Sequence, residues 1–297
     1  MKEEYRKIIS LVMIFLGVII LIASLILAIS YKYNRFYSFL LVGLFMILKE
    51  GYRLLKNKEL MSLRVFTFLY FGVFLIFGIF GDLIFGLWIC KLWSYPSYTL
   101  INYLNLYLLI YPLGGMVMVY SFALLEKLSG IKVKENKATY KVSIRVSLIL
   151  WLVGLVFLVL CFFTMPTYVG FFIYLFAGIS AIGLMSYLTL LIRKDDLLER
   201  LFIKPIKYLI LIIIVAYTQG FLHEYPNVFV KEWIYHNFPY ENITFLGIPV
   251  TVLFFGWIAL VVGPYMIFEF AKALCRLNSP KELLALLIGK NSKKRIR

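Results

Sequence analysis

Eight stretches of this sequence are apolar over lengths suited to crossing a bilayer: 8–30, 37–48, 65–92, 100–125, 146–164, 168–192, 208–222 and 246–270. A helix needs about 20 apolar residues to cover a hydrocarbon core of about 30 Å. Inside lipid every backbone N–H and C=O must be paired within the segment, so such stretches are helical. The second and seventh are short. The second is expected to begin before Tyr37 or run past Lys49, and the seventh to continue through Glu224. Composition supports the assignment: 63% of the 297 residues are hydrophobic and 15% are charged, against about 45–50% and 25% in soluble domains. An ordinary soluble enzyme, a disordered chain and a nucleic-acid-binding domain are excluded. Three cysteines rule out a disulfide scaffold. The expected fold class is all-α, a polytopic integral membrane protein with eight transmembrane helices.

The first stretch follows a charged start and resembles a signal peptide. Its apolar run exceeds the roughly 7–15 residues of a signal core, and no small-residue cleavage site follows. It reads as a retained first helix. Lys and Arg gather on the cytoplasmic side of membrane proteins. Of the 31 basic residues, only Lys32, Arg35, Lys91 and Lys231 fall in, or at the edge of, the first, third, fifth and seventh loops. The others occupy the N-terminus, the alternate loops and the tail. Both termini are therefore expected in the cytoplasm, with the protein in the cell membrane. The net charge of +16 follows topology and meets anionic headgroups of membrane lipids, not nucleic acid. In the tail, Ser279, Pro280 and Glu282 start an expected interfacial helix, which a basic end follows.

Two parts of the chain echo each other. Asp82, Trp93-Ser94-Tyr95 and Pro112 lie along spans three and four. Glu224, Trp233-Ile234-Tyr235 and Pro249 lie along spans seven and eight. The acids are 142 positions apart, the Trp-x-Tyr motifs 140 and the prolines 137. Four spans separate the units, so the sequence implies a parallel repeat, related by an axis along the membrane normal. The expected organisation is repeat one over 1–136, repeat two over 137–271, and a cytoplasmic interfacial helix with its basic tail over 272–297.

Ionisable groups inside spans are costly and default to functional candidates. Asp82 lies 18 residues beyond Arg64, and Glu224 lies 17 beyond Lys207. At 1.5 Å per residue both sit about 26 Å from the cytoplasmic boundary, close to the outer interface. Asp82, Glu224 and His223 are the catalytic candidates, expected at one outward pocket. Trp93, Tyr95, Asn105, Gln219, Trp233, Tyr235 and His236 are the expected lining. An aromatic belt at the interface is the ordinary reading of such Trp and Tyr residues. A carboxyl sheltered from water favours its protonated form and can pass a proton to an alkene, while aromatic faces stabilise the resulting cation.

Acid, about ten residues, Trp-x-Tyr, then a proline-bearing helix, occurring twice, resembles the small membrane-embedded lycopene cyclase domains. The likeness covers residues 81–115 and 223–256. It implies a membrane enzyme acting on carotenoid ends. That family carries Pro-x-Glu-Glu at the start of the following helix, where this chain reads Pro112-Leu113-Gly114-Gly115 and Pro249-Val250-Thr251-Val252. The expected function is thus lipid or isoprenoid handling, with a hydrophobic small molecule as ligand. A secondary transporter and a non-enzymatic membrane protein are the alternatives. No phosphate loop or His-Glu-x-x-His occurs, and with two histidines in the chain no cofactor and no metal are expected. Asp195-Asp196 reads as charge balance in a basic loop. Gly72, Gly78, Gly81 and Gly86, and later Gly170, Gly178 and Gly183, are expected where neighbouring helices pack closely.

Overall fold

The computed structural model describes residues 2–33, 35–56, 58–133, 137–164 and 169–277. The tail helix expected from Ser279 lies outside the described residues. Nine helices follow one another among the described residues: α1 (Lys2–Ile29), α2 (Phe36–Lys56), α3 (Leu63–Ile89), α4 (Leu100–Leu128), α5 (Lys137–Thr164), α6 (Val169–Arg193), α7 (Leu197–Ile203), α8 (Pro205–Val230) and α9 (Val252–Leu274). Between them lie two short antiparallel ribbons. Trp93–Ser94 (β1) pairs with Ile234–Tyr235 (β2), and Thr244–Phe245 (β3) with Ile248–Pro249 (β4).

Seven helices are long and apolar enough to cross a membrane, namely all except α2 and the short α7. α2 has 21 residues, but its second half carries Lys49, Glu50, Arg53 and Lys56. It lies antiparallel along α1. A Cβ on Gly17 or Gly43 would come within 3 Å of the other's carbonyl oxygen, so the two backbones meet there. Ser10 donates to Glu50 at 2.8 Å near one end of this hairpin. α8 does run on past Glu224, to Val230. The last span starts later than its hydropathy suggests. Leu246 and Gly247 adopt positive φ, and they turn the chain between β3 and β4 before α9 begins.

α4 is the most enclosed helix, packed against α2, α3, α8 and α9. The hairpin of α1 and α2 flanks α4, and the hairpin of α5 and α6 flanks α9. The outer helices α1 and α5 leave apolar side chains such as Phe15, Ile22, Ile149 and Val156 uncovered. A surface this apolar suits lipid tails better than water. Gly183 meets the backbone of Trp151, and Gly170 that of Cys90, so both allow close approach. Gly178 meets nothing within 4 Å, and Gly72 and Gly81 meet only phenylalanines of their own helix. Those three do not serve the close packing expected of them.

Candidate functional site

α3 presents Asp82 between two glycines, one turn to either side. The ring of Tyr111 lies against Gly78 and that of Trp93 against Gly86. A Cβ at these glycines would fall 2.8 Å from Tyr111 and 2.1 Å from Trp93. Missing side chains thus make room for aromatic rings beside the acid. Asp82 is 2% exposed. Its Oδ1 accepts from the hydroxyl of Tyr95 at 3.2 Å, and its Oδ2 from that of Tyr107 at 2.9 Å. The Tyr111 hydroxyl lies 3.4 Å from that of Tyr95. Tyr103, Tyr107 and Tyr111 recur every fourth residue, and their rings lie nearly parallel along one face of α4.

α8 presents Glu224 in the same manner. Gly220, one turn before it, receives the ring of Trp257. Glu224, also 2% exposed, accepts at Oε1 from Tyr235 at 2.6 Å and from Trp257 Nε1 at 3.0 Å. Its Oε2 accepts from Trp233 Nε1 at 3.2 Å. Gly78 and Asp82, shifted by 142 positions, land on Gly220 and Glu224. Helices α3 and α8 are followed by lysines with positive φ, Lys91 and Lys231, and each lysine is followed after one residue by Trp-x-Tyr. Tyr111 and Trp257 then pack on the equivalent glycine. The prolines are not equivalent: Pro112 lies inside α4, whereas Pro249 lies in β4, ahead of α9.

The two Trp-x-Tyr segments meet as a ribbon, in the register Trp93 with Tyr235 and Ser94 with Ile234. Asn237 donates to the Lys91 carbonyl, and the His236 amide donates to that of Leu92. The His236 ring bonds Ser94 Oγ at 2.8 Å, so this side chain clamps the ribbon rather than either acid. Asn105 is also misplaced in the sequence reading. It is exposed and donates to Ser38, while Asn102 is the buried one. Tyr95, Trp233 and Tyr235 do close on the acids, and Trp93 packs one turn from Asp82.

Besides Tyr107, Tyr111 and Trp257, three more residues without a signal in the sequence join the centre. Tyr37 of α2 bonds His223 Nδ1 at 2.7 Å and packs edge-on to Trp233. Glu232, between α8 and β2, is 1% exposed and accepts from Tyr98 at 2.6 Å. Burial raises the Glu232 carboxyl to about 7, against the pull of the Tyr98 hydrogen bond. Burial also raises the Tyr98 hydroxyl, and the charge of Glu232 adds to the shift. Tyr98 stacks on Tyr95 at 4.8 Å, so the surroundings of Asp82 reach Glu232 through one pair of rings.

Among the described residues neither Asp82 nor Glu224 forms an ion pair. Each takes hydrogen bonds from tyrosine hydroxyls or indole N–H groups only. Such a shell stabilises a carboxylate without a cation and surrounds it with aromatic faces. Two recesses, of about 680 and 390 Å³, lie elsewhere: one beside Arg64 and Leu274, the other between α1 and α8. Neither is lined by the acids, which their own aromatic partners seal. Among the described residues no three His, Cys, Asp or Glu side chains converge as metal ligands.

A second polar centre sits at the opposite ends of the helices. Arg200 of α7 meets Glu269 of α9 at 2.6 Å, Asp195 at 2.9 Å and Glu126 of α4 at 3.1 Å. Burial alone lowers the Arg200 pKa, but Glu269 and the other acids outweigh it, and the guanidinium is held well above its usual range. Asp195 pairs with Arg200 and Arg193, as charge balance requires. Asp196 does not. It caps α7 through the Glu199 N–H at 2.8 Å and accepts from Ser186. Burial raises it to about 6. No family model matches the chain, and no curated protein or solved structure compared with it does either.

Proposed function

We propose that this chain is an eight-span protein of the cell membrane with both termini cytoplasmic, built from two four-helix repeats. Its paired acid–aromatic centres handle an isoprenoid or a similar apolar lipid near the outer face. The observation that carries this reading is the twofold recurrence of one device: glycine, acid one turn later, a left-handed lysine, Trp-x-Tyr, and an aromatic ring seated on the glycine. A mere aromatic belt does not require Tyr95, Tyr107, Trp233, Tyr235 and Trp257 each to aim a donor at a buried acid. Proton transfer from a carboxyl oxygen to an alkene carbon leaves a carboxylate, which Tyr and Trp donors stabilise, and a carbocation, which ring faces stabilise. Loss of a proton from a neighbouring carbon to the carboxylate then closes the cycle. The resemblance to lycopene cyclase domains points the same way. The apolar recess between α1 and α8, lined by Leu222, Tyr225 and Pro226 and not by Glu224 itself, suits a hydrocarbon chain.

The test is mass spectrometry of lipids that co-purify with the protein, wild type against Asp82→Asn combined with Glu224→Gln. A polyisoprenoid retained by the wild type and lost from the variant is the expected result. Equal retention, or no specific lipid in either sample, removes the reading and turns attention to solute flux.

A further inference from the structure

Beside Glu224 and over the turn that precedes it, α8 carries a polar pair that the acid–aromatic device does not use. Gln219 and His223 are four residues apart and share a face. They are 4% and 0% exposed. The Ser121 hydroxyl spends its proton on the Val117 carbonyl at 2.8 Å, so it accepts from Gln219 Nε2 at 2.9 Å. This fixes the amide and leaves Gln219 Oε1 as a buried acceptor with no partner among the described residues. Tyr37 holds His223 Nδ1 at 2.7 Å. With the Tyr37 hydroxyl donating, the other ring nitrogen carries the proton. His223 Nε2 is then a buried donor, and it too has no partner among the described residues. Unpaired polar atoms in such surroundings are costly, and native proteins keep few of them without a purpose.

A donor and an acceptor one turn apart match a group that both accepts and donates, which is a hydroxyl. Ammonium lacks the acceptor and a carboxylate lacks the donor. The surroundings are apolar: Trp257 stands edge-on to His223 at 4.8 Å, and Tyr37 at 5.1 Å. Leu222 and Pro226, three residues on from Gln219 and His223, line the recess of about 390 Å³ together with Leu25 and Ile29 of α1. We propose that Gln219 and His223 bind the hydroxyl of a lipid alcohol whose hydrocarbon chain lies along this recess. The proposal rests on the lipid-handling reading and names its substrate class, an apolar alcohol. Water offers the same donor and acceptor as a hydroxyl, so the experiment separates alcohol from hydrocarbon.

Purified protein in lipid nanodiscs is titrated with farnesol and, separately, with the hydrocarbon farnesene, following quenching of Trp257 and Trp233. Farnesol is expected to bind at least tenfold more tightly than farnesene. That preference falls to near unity in Gln219→Leu and His223→Phe. His223→Gln, whose amide nitrogen sits near the place of Nε2, retains part of it. Farnesene binding that matches wild type shows that the variants are folded. Equal affinities in the wild type, or a preference that survives Gln219→Leu, overturn the hydroxyl site while leaving lipid handling intact. Failure of both probes to bind overturns the lipid-handling reading itself, and this proposal with it.

Discussion

Each acid in this protein owes its setting to a residue that is smaller than its neighbours and to rings that fill the space. The 2.6 Å bond from Tyr235 is the shortest that either acid receives. A buried donor to a carboxylate contributes about 1.5–3 kcal/mol. Tyr235→Phe is therefore expected to lower the thermal midpoint by several degrees, at about 2–4 °C per kcal/mol in a chain of this size. Tyr225→Phe, on an exposed part of α8, is expected to change it by less than one degree; differential scanning fluorimetry in detergent compares the two. The acids and Trp-x-Tyr motifs were legible in the sequence because a charge stands out in an apolar span and a spacing can recur. Tyr37, Tyr107, Tyr111 and Trp257 were not legible. In a chain with 22 tyrosines and 5 tryptophans, one more ring carries no signal until a partner is known. The error over Asn105 has the same origin. Position along a helix gives depth, but the buried face depends on neighbours that the sequence does not name.

At the level of helices, hydropathy placed the apolar centres well and their ends less well. α5 begins at Lys137, nine residues ahead of its apolar run, because a helix extends through polar residues beyond the hydrocarbon. The hairpin of β3 and β4 was hidden because Leu246, Ile248 and Val250 read as span, and only the backbone at Leu246 and Gly247 decides otherwise. Pairing of the two Trp-x-Tyr segments was not foreseeable either, since their separation of 140 positions hides a direct contact. Glycine patterns point to close packing but not to which glycine provides it. Within the α5 and α6 hairpin, Gly183→Ala puts a methyl 2.4 Å from the Trp151 amide nitrogen, and the helices must separate. The expected cost is about 1–3 kcal/mol. Gly178→Ala meets nothing within 4 Å and is expected to be neutral, or to gain up to about 1 kcal/mol through helix propensity. Urea or heat titration of the two variants separates these outcomes, and equal loss in both refutes the packing argument.

Across the whole molecule, polarity is sorted into two layers. Tyr111 and Glu126 mark them on α4, 15 residues or about 22 Å apart. At one level lie the ribbon and the acid–aromatic centres, and at the other the Arg200 cluster, with apolar surface between. This arrangement fits a bilayer and makes the role of α2 decisive. Arg53 near the end of α2 reaches the Arg6 carbonyl near the start of α1, so the two helices form a full hairpin. If α1 crosses, α2 brings the chain back despite its charges, because Glu50 is sheltered by Ser10, Lys49 and Arg53. With Cys90, Cys161 and Cys275 replaced by serine, a single cysteine at Tyr31 is then expected to react with an impermeant maleimide added outside intact cells. A single cysteine at Glu59 is expected to react only after permeabilisation. Both positions are at least partly exposed, so reactivity reports sidedness and not burial. Labelling of both from the same side means that α2 does not cross. The chain then spans seven times and its termini lie on opposite faces; α3 and α8 stay parallel, because the crossings between them are unchanged, but the division into two four-helix repeats is lost.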